Sequence, residues 1–206
     1  DIDGNVYKTI QIGTQIWMAE NLKTTKYNDG SQIPNVLDDS EWVALKTGAY
    51  RWYENEPATF KNLYGALYNW YTVNTGKLCP TGWHVPGDGE WKELELALGM
   101  TLTEVTRWGD GSWYDIRGTD QANKMKATSG WINWEGANGN GTNESGFSAL
   151  PGGEIGWYGE FGGAGSITDW WATEEGCGRV VGSAEGRVGR EVYPVLCGFS
   201  VRCLKD

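Results

Sequence analysis

The chain carries little positive charge. Its 206 residues include 17 lysines and arginines against 27 aspartates and glutamates, a net charge of −10 at pH 7. Nucleic acids require a basic face and anionic membrane surfaces attract basic segments, so neither is predicted as a partner. No run approaches the roughly 20 apolar residues of a membrane-spanning helix, so we expect no membrane insertion by this domain. No signal peptide is recognisable in residues 1–10, and we expect the start of a trimmed domain there.

Aliphatic residues are scarce and one histidine is present, whereas aromatic rings and glycine are abundant. The chain has 13 Trp, 10 Tyr and 31 Gly. Its core must therefore be built largely from rings, and buried Trp N–H and Tyr O–H groups need hydrogen-bond partners. We expect residues 1–206 to form one irregular, loop-rich domain rather than a helical bundle.

The sequence has four cysteines and no CxxC pair. They are Cys79, Cys177, Cys197 and Cys203. Zinc sites need clustered thiolates or histidines, which this spacing does not offer. The even number predicts two disulfides in an oxidising compartment, and four free buried thiols in a cytosolic protein are the alternative. Four cysteines allow three pairings, and spacing alone does not choose among them.

Helical patterns come first along the chain and strand patterns follow. Aromatic residues recur at helical spacing in residues 62–74, and residues 86–99 predict a second helix with Asp88 as its N-cap. Residues 119–128 predict a short third helix. Strands are predicted on either side of Gly13 and at 147–150, 169–173, 178–181, 192–195 and 199–203. This order indicates an α+β domain with two main helices and a small twisted antiparallel sheet.

The final residues alternate in character. Phe199, Val201 and Cys203 fall on one side, and Ser200 and Arg202 fall on the other. This period of two predicts a half-buried strand at the C-terminus, where many domains fray instead.

Six motifs occur in a distinctive order. They are "GNVYKTIQIGTQIWMAENLKTTKYNDG", "YGALYNWYTV", "CPTGWHVPGDGEWKEL", "GFSALPGG", "DWWAT" and "GFSVRC". Together they resemble the Fibrobacter succinogenes major paralogous domain, a family of bacterial surface and secreted proteins. The central motifs also resemble, more distantly, the formylglycine-generating-enzyme-like branch of the C-type lectin fold. The resemblance implies a C-type-lectin-like domain, secreted or on the bacterial cell surface, with paired N- and C-terminal strands.

The resemblance also implies a cysteine pairing. The family places cysteines in its "CP-x-GW" and "VRC" motifs, so Cys79 is expected to bond to Cys203. Cys177 and Cys197 are then expected to close the loop after the "WWAT" strand.

No catalytic activity is expected. Formylglycine-generating enzymes bind copper with two cysteines close together shortly before the terminal strand. Here only Cys197 lies just before that strand, and Cys203 is inside it, so the activity is not carried over. His84 lies in a Pro-bounded turn before a helix and is expected to be structural rather than a general base.

Several acidic residues raise the question of a hydrolytic centre built from paired carboxylates. Glu174 and Glu175 are adjacent, and adjacent strand residues point to opposite faces. A glycosidase needs two carboxylates facing each other across the scissile bond. Nothing in the sequence pairs Glu154, Glu160 or Asp169 in that way.

No cofactor is required by the sequence, although two oxygen-rich loops suit Ca²⁺. One contains Asp110, Asp115 and Asp120, and the other spans residues 133–146. Their spacing is not that of an EF-hand, and the EPN, QPD and WND triplets of calcium-dependent lectins are absent. Turns built from Asp, Asn and Gly explain the same composition, with structural calcium as the second interpretation.

Aromatic rings outside the family motifs are candidate ligand contacts. Trp157 and Tyr158 are the best pair, because six nearby glycines argue against a core strand there, and Trp108 or Trp113 is expected to assist. A flat ring can cover the apolar face of a sugar, as aromatic platforms cover bases. We expect these rings to share one outer face. Other rings outside the motifs include Trp42, Trp52, Tyr53, Trp134 and Phe161.

Polar partners for such a ligand follow from the resemblance. Binding surfaces of C-type-lectin-like folds lie between the "WW" strand and the terminal strand, which places Glu174, Glu175, Arg179 and Tyr193 near one face. The predicted function is therefore non-catalytic binding of a polysaccharide, as an adhesion or carbohydrate-binding module of a larger surface protein. The alternative is an adhesin domain that binds a host or substrate-associated protein through the same variable loops.

Overall fold

The structure is a computed structural model that describes residues 1–108 and 116–206. Six α-helices lie in these residues: α1 (Asp39–Ala44), α2 (Pro57–Tyr64), α3 (Trp70–Val73), α4 (Asp88–Ala97), α5 (Leu102–Thr106) and α6 (Gln121–Met125). The strands of the same residues are β1 (Thr9–Ile12), β2 (Gln15–Met18), β3 (Tyr50–Arg51), β4 (Leu67–Asn69), β5 (Trp83–His84), β6 (Ile116–Arg117), β7 (Gly152–Ile155), β8 (Phe161–Ala164), β9 (Ile167–Trp171), β10 (Cys177–Gly182), β11 (Val188–Val192), β12 (Gly198–Phe199) and β13 (Leu204–Lys205). None of the described helices is long and apolar enough to cross a membrane.

The chain ends meet in a small sheet of order β1-β2-β13-β5. β1 and β2 form a hairpin that turns at Gly13, whose φ of +59° glycine adopts without strain. Leu204 of β13 pairs with Trp17 of β2 on one side and with His84 of β5 on the other. The predicted pairing of the N- and C-terminal strands is confirmed.

The larger sheet has the order β3-β4-β12-β7-β9-β10-β11-β6, with β8 paired to β7. Its described pairs are antiparallel except for β7 and β9, which run parallel at Gly153 and Thr168. The domain therefore mixes helices and strands as expected for the α+β class. The prediction of one small antiparallel sheet is wrong, because the larger sheet has nine strands and is mixed.

Helix α4 begins and ends close to the prediction. It starts at Asp88, with Gly87 in the cap position, and the Glu90 carboxylate accepts the Gly87 N–H at 2.8 Å. Its buried face carries Trp91 and Leu94. Asp88 is therefore the first helical residue rather than the cap, and its carboxylate is left to pair with arginines.

Residues 62–74 do not form the single helix that their aromatic spacing predicts. α2 ends at Tyr64, and Gly65 follows with φ +79°, where a Cβ atom would come within 2.7 Å of the Leu22 carbonyl oxygen. The chain then enters β4, and α3 starts after Asn69, whose side chain caps it by accepting the Thr72 N–H at 3.2 Å. Burial of every side chain in β4 favours a central strand over an amphipathic helix.

Two further strand predictions are wrong. Residues 147–150 make one isolated bridge, between Ala149 and Lys126, and the strand predicted at 192–195 lies earlier, in β11. Of the strand predicted at 199–203, only Phe199 lies in a strand, β12, and β13 begins one residue after the predicted range. The polar side of the predicted strand is not exposed, because Ser200 and Arg202 are as buried as their apolar neighbours.

The core is aromatic, as the composition predicts. Trp17 and Trp91 lie with ring centroids 4.8 Å apart, and Phe147 and Trp170 pack beside them. Most buried indoles donate their N–H to a described acceptor, including those of Trp17, Trp42, Trp131, Trp170 and Trp171. Trp52 and Tyr53, which lie outside the family motifs, are also buried and belong to the core rather than to a surface.

One of the two predicted disulfides is present. Cys79 and Cys203 are bonded, with their Cα atoms 5.9 Å apart, and the bridge ties the C-terminal segment to the chain before α4. The prediction of a Cys177–Cys197 bridge is wrong, since both residues are free and buried. They lie in different hydrophobic clusters, with Cys177 beside α4 and Cys197 beside Trp171.

Candidate functional site

A groove of about 460 Å³ lies over one end of the larger sheet. Its floor is formed by Ile167 of β9 and Val180 of β10. Small residues of the β8–β9 and β10–β11 hairpins line it, and a side chain at Gly163 of β8, whose φ is +74°, would collide with Ile167. A concave, mainly apolar surface with a few polar groups is the usual form of a small-ligand site.

Trp134 stands at the wall of this groove with 51% of its surface exposed. A tight turn holds it, in which Trp134 and Ala137 exchange backbone hydrogen bonds of 3.0 and 2.8 Å. The loop is fixed to the β8–β9 turn by the Ile132 N–H, which donates to the Gly165 carbonyl at 2.9 Å. The backbone that carries the indole is thus held by the loop and by the β8–β9 turn, and the indole itself is an accessible apolar plane.

The opposite rim is polar and internally neutralised. Arg187 donates to Glu185 at 2.7 Å, and these hydrogen bonds lower the pKa of the Glu185 carboxyl. The buried Lys126 ammonium donates to the Gly182 and Glu185 carbonyls at 3.2 and 3.1 Å, which fixes the β10–β11 turn from beneath. The groove therefore offers donors and acceptors without a net charge.

Trp157 and Tyr158 are exposed, as predicted for a contact surface, but they do not line the groove. Their side chains are 60% and 76% exposed, and their ring centroids are 5.9 Å apart in the β7–β8 turn. Gly159 of the same turn packs on Asp39 of α1, and its carbonyl accepts the Arg51 guanidinium at 2.9 Å. The pair forms a protruding tip rather than a wall of a cleft.

Trp108 occupies a different place. Its half-exposed ring covers the buried guanidinium of Arg190 at 3.5 Å, next to the start of α4. Trp113 lies outside the described residues. In the described part of the chain no ring contact joins Trp108 to Trp157 or Tyr158, so the expected single platform is not assembled there.

Glu174 and Glu175 are exposed after β9. Glu174 accepts the Asp88 N–H at 2.7 Å, so it satisfies the first turn of α4 as well as facing solvent. Among the described residues, Glu175 forms no side-chain hydrogen bond or ion pair that would orient it toward Trp157 or Tyr158. Their role in ligand binding stays a prediction.

Arg179 and Tyr193 are not available to a ligand in the way predicted. Arg179 is fully buried, and its guanidinium donates to Asp88 at 2.9 Å and to Glu95 at 2.7 Å. The Tyr193 hydroxyl donates to Asp169 at 3.0 Å, and its ring packs on Phe199. Both side chains are used by the fold, because each neutralises or satisfies a buried carboxyl group.

The structure brings together carboxyl groups that the sequence does not pair. Burial, with the nearby charges of Glu160 and Glu191, raises the pKa of Glu154 to about 7. Burial and the charge of Glu154 also raise the pKa of Asp169 well above its ordinary range. Perturbed carboxyls often mark functional sites, but structural clusters produce the same shifts. Asp169 is fully buried beneath Tyr193, which places it out of reach of a substrate.

Neither oxygen-rich loop shows a cation site in its described part. Asp110 and Asp115 lie outside the described residues, and Asp120 pairs with Lys124 at 3.4 Å. Within residues 1–108 and 116–206 no group of three or more His, Cys, Asp or Glu side chains could hold a metal ion.

His84 bridges Glu90 and Asp206 at 2.8 and 2.7 Å. Burial alone would lower the pKa of His84, but the hydrogen bonds to these two carboxylates raise it above its ordinary value.

A family model described as the Fibrobacter succinogenes major domain matches residues 10–205. The chain belongs to this family. The family match confirms the resemblance, and it covers the six motifs apart from the first six residues of the first one. No curated protein and no solved structure matches the chain. Membership of the Fibrobacter succinogenes major domain family assigns no ligand, so the groove itself must indicate one.

Proposed function

We propose that this Fibrobacter succinogenes major domain binds a polysaccharide without cleaving it, as an adhesion or carbohydrate-binding module of a secreted or cell-surface protein. The observation that supports this most is the half-exposed Trp134 at the wall of an apolar groove. A sugar ring stacks its apolar face on an indole, and the Ser183 and Glu185 side of the groove can bind its hydroxyls. The Glu185–Arg187 pair is neutral as a unit, which suits an uncharged glycan.

The finer fold assignment is part of this proposal. Pairing of the terminal strands, a buried "WW" strand in β9 and a disulfide from the α4 entry to the C-terminus support a C-type-lectin-like domain. The disulfide also supports an oxidising location, since such bridges persist outside the cytosol.

The experiment is a glycan screen of plant and host polysaccharides, followed by calorimetric titration of the best ligand. Trp134→Ala should weaken binding about 5- to 150-fold, because loss of one stacking ring removes about 1–3 kcal/mol. Trp157→Ala is the matched control, an exposed indole outside the groove. Equal affinity of Trp134→Ala and the parent protein would contradict the groove assignment. Release of reducing sugar from a bound substrate would contradict the non-catalytic part.

A protein partner is the second candidate, and a different surface favours it. Trp157 and Tyr158 protrude together from a turn that is held by Asp39 and Arg51. Rigid exposed aromatic pairs on Gly-rich turns are typical protein contacts. A protein ligand should lose affinity on Trp157→Ala and keep it on Trp134→Ala, which is the reverse of the glycan result.

A further inference from the structure

Five arginine side chains are fully buried in the described residues: Arg51, Arg117, Arg179, Arg190 and Arg202. Four of them contact a carboxylate directly, at N–O distances of 2.5 to 2.9 Å. Arg202 is different, since it forms no salt bridge with a described carboxylate. An isolated buried charge is expensive, so its surroundings must stabilise it in another way.

Neutral groups surround the Arg202 guanidinium. It donates to the Asn21 side-chain oxygen at 2.9 Å, to the Phe147 carbonyl and to the Ser148 carbonyl at 3.2 Å. The ring of Phe147 lies 4.0 Å from its central carbon, and Trp170 adds a second aromatic face at 5.6 Å. These contacts orient the cation without neutralising it. Burial lowers the pKa of Arg202 to about 9.

Arg202 also lines an open cleft of about 260 Å³. The cleft lies where the end of α2 meets the chain after β2, and three lysines surround it: Lys8, Lys23 and Lys61. Glu20 is the single carboxylate of the lining. A cleft with four cations and one anion is unexpected in a chain whose net charge is −10. Such a site attracts anions and concentrates them.

The guanidinium keeps donors for a ligand. A guanidinium has five N–H groups, and three described acceptors use one each on Nε, Nη1 and Nη2. One N–H on each terminal nitrogen therefore has no acceptor among the described residues. Carboxylate oxygens are the acceptors that a guanidinium binds most strongly.

We propose that this cleft binds the carboxylate of a ligand of monosaccharide size, such as a uronic acid, with Arg202 as the anchor and the lysines as the rim. The volume holds one sugar ring, and Asn62 and Ser148 offer polar groups for its hydroxyls. Fixation of the guanidinium by Asn21 prepares the site before binding, because the Asn21 amide is itself held by the Tyr64 carbonyl and the Ser200 hydroxyl. The site is separate from the Trp134 groove and does not depend on the function proposed for that groove.

The test is a titration of the 15N-labelled protein with sodium galacturonate, followed by NMR and calorimetry at low and high salt. Methyl galactoside is the matched neutral compound, acetate supplies a carboxylate without a sugar, and sulfate supplies an inorganic anion. Galacturonate should bind at least about tenfold more tightly than each of these, and should shift the Asn21 side-chain amide and the Ser148 backbone amide. High salt should weaken binding, because rim charges are screened.

Rim variants test the site without disturbing the buried anchor. Lys23→Gln and Lys61→Gln should each weaken galacturonate binding about threefold or more, whereas Lys46→Gln, an exposed lysine outside the cleft, should leave it unchanged. Arg202→Lys should abolish the preference for galacturonate over methyl galactoside, because only galacturonate has the carboxylate that Arg202 would bind. Unchanged binding in both rim variants, or equal affinity for methyl galactoside, would overturn the proposal. Tighter binding of sulfate would overturn its assignment to a carboxylate sugar. Trp134→Ala should not alter galacturonate binding, which separates this test from that of the groove.

Discussion

Buried arginines are stabilised in two different ways in two regions of this domain. Beside α4, the carboxylates of Asp88 and Glu95 lie within 2.9 Å of three of them: Arg117, Arg179 and Arg190. In the cleft beside α2, Arg202 contacts carbonyls, an amide oxygen and aromatic rings instead. The first region is neutralised from within the chain, and the second is not.

The difference separates a structural network from a candidate binding site. Burial alone would raise the pKa of Asp88, but hydrogen bonds from Lys92 and Arg190 and the charge of Arg179 hold it far below its ordinary value. That network leaves no role for an external ion. Arg202 has no carboxylate partner among the described residues and keeps two N–H groups without a described acceptor. These are the groups that the proposed anionic ligand would contact. Burial of an arginine therefore does not by itself show whether it is structural or available to a ligand. The groups that it contacts distinguish the two cases.

The largest effect is expected when the paired network is broken. Glu95→Gln keeps the side-chain shape but removes the carboxylate that Arg117 and Arg179 share. Because two buried cations then lose a counter-charge, the free energy of unfolding should fall by about 3–5 kcal/mol in urea denaturation. Glu175→Gln, which removes an exposed carboxylate, should change it by less than about 0.5 kcal/mol. A loss below about 1 kcal/mol for Glu95→Gln would show that the network does not stabilise the fold.

A smaller effect is expected at the unpaired arginine. Arg202→Met leaves the Phe147 and Ser148 carbonyls without a described donor, which costs about 1–3 kcal/mol, but it also removes a poorly neutralised charge. The net loss of unfolding free energy should be about 1 kcal/mol, measured under the same conditions as Glu95→Gln. A loss equal to that of Glu95→Gln would remove the contrast between the two regions.

An effect of similar size, spread over a range of pH, is expected in a third region, the carboxyl cluster. The pKa of Glu154 is raised to about 7 in the folded protein by burial and by Glu160 and Glu191. Below its unfolded pKa the folded state pays no penalty for this group, and stability falls as the pH rises from about 4.5 to about 7. Allowing for its partial exposure, the fall should be about 1 kcal/mol.

Glu154→Gln checks this pH dependence. The variant should lose stability less steeply than the parent protein between pH 4.5 and 7, in thermal or urea unfolding at fixed ionic strength. Glu144→Gln, an exposed carboxylate elsewhere, is the control and should retain the slope of the parent. Identical slopes in all three proteins would show that Glu154 titrates normally.

Local signals predicted a good part of the scaffold. The β1–β2 hairpin, helix α4 and the pairing of the terminal strands follow from periodicity, turn residues and the family motifs. The Cys79–Cys203 bridge follows from the family motifs alone. The prediction of one helix over residues 62–74 is wrong because Gly65 lies against the Leu22 carbonyl. That contact joins distant parts of the chain, and helical spacing does not reveal it.

The candidate sites were less accessible to sequence reasoning. Arg202 lies in an alternating segment whose polar side the sequence predicts to face solvent. In the structure Ser200 and Arg202 are as buried as Phe199 and Val201 on the apolar side. Arg179 pairs with Asp88, which lies 91 residues earlier in the chain, and no local sequence pattern predicts such a partner. Trp134 is a ring outside the family motifs, but the groove beside it is formed by segments that are distant in sequence, which no local pattern reveals.

The indole hydrogen bonds have a consequence for how the surface can change. Trp42 donates to the carbonyl of Leu196, 154 positions away, and Trp171 donates to that of Tyr68, 103 positions away. Each indole therefore links two segments that are remote in sequence. Substitution of the exposed Trp157 and Tyr158 should change the outer surface without breaking either bond, whereas Gly159 of the same turn must be kept, because it packs on Asp39 and its carbonyl accepts from Arg51.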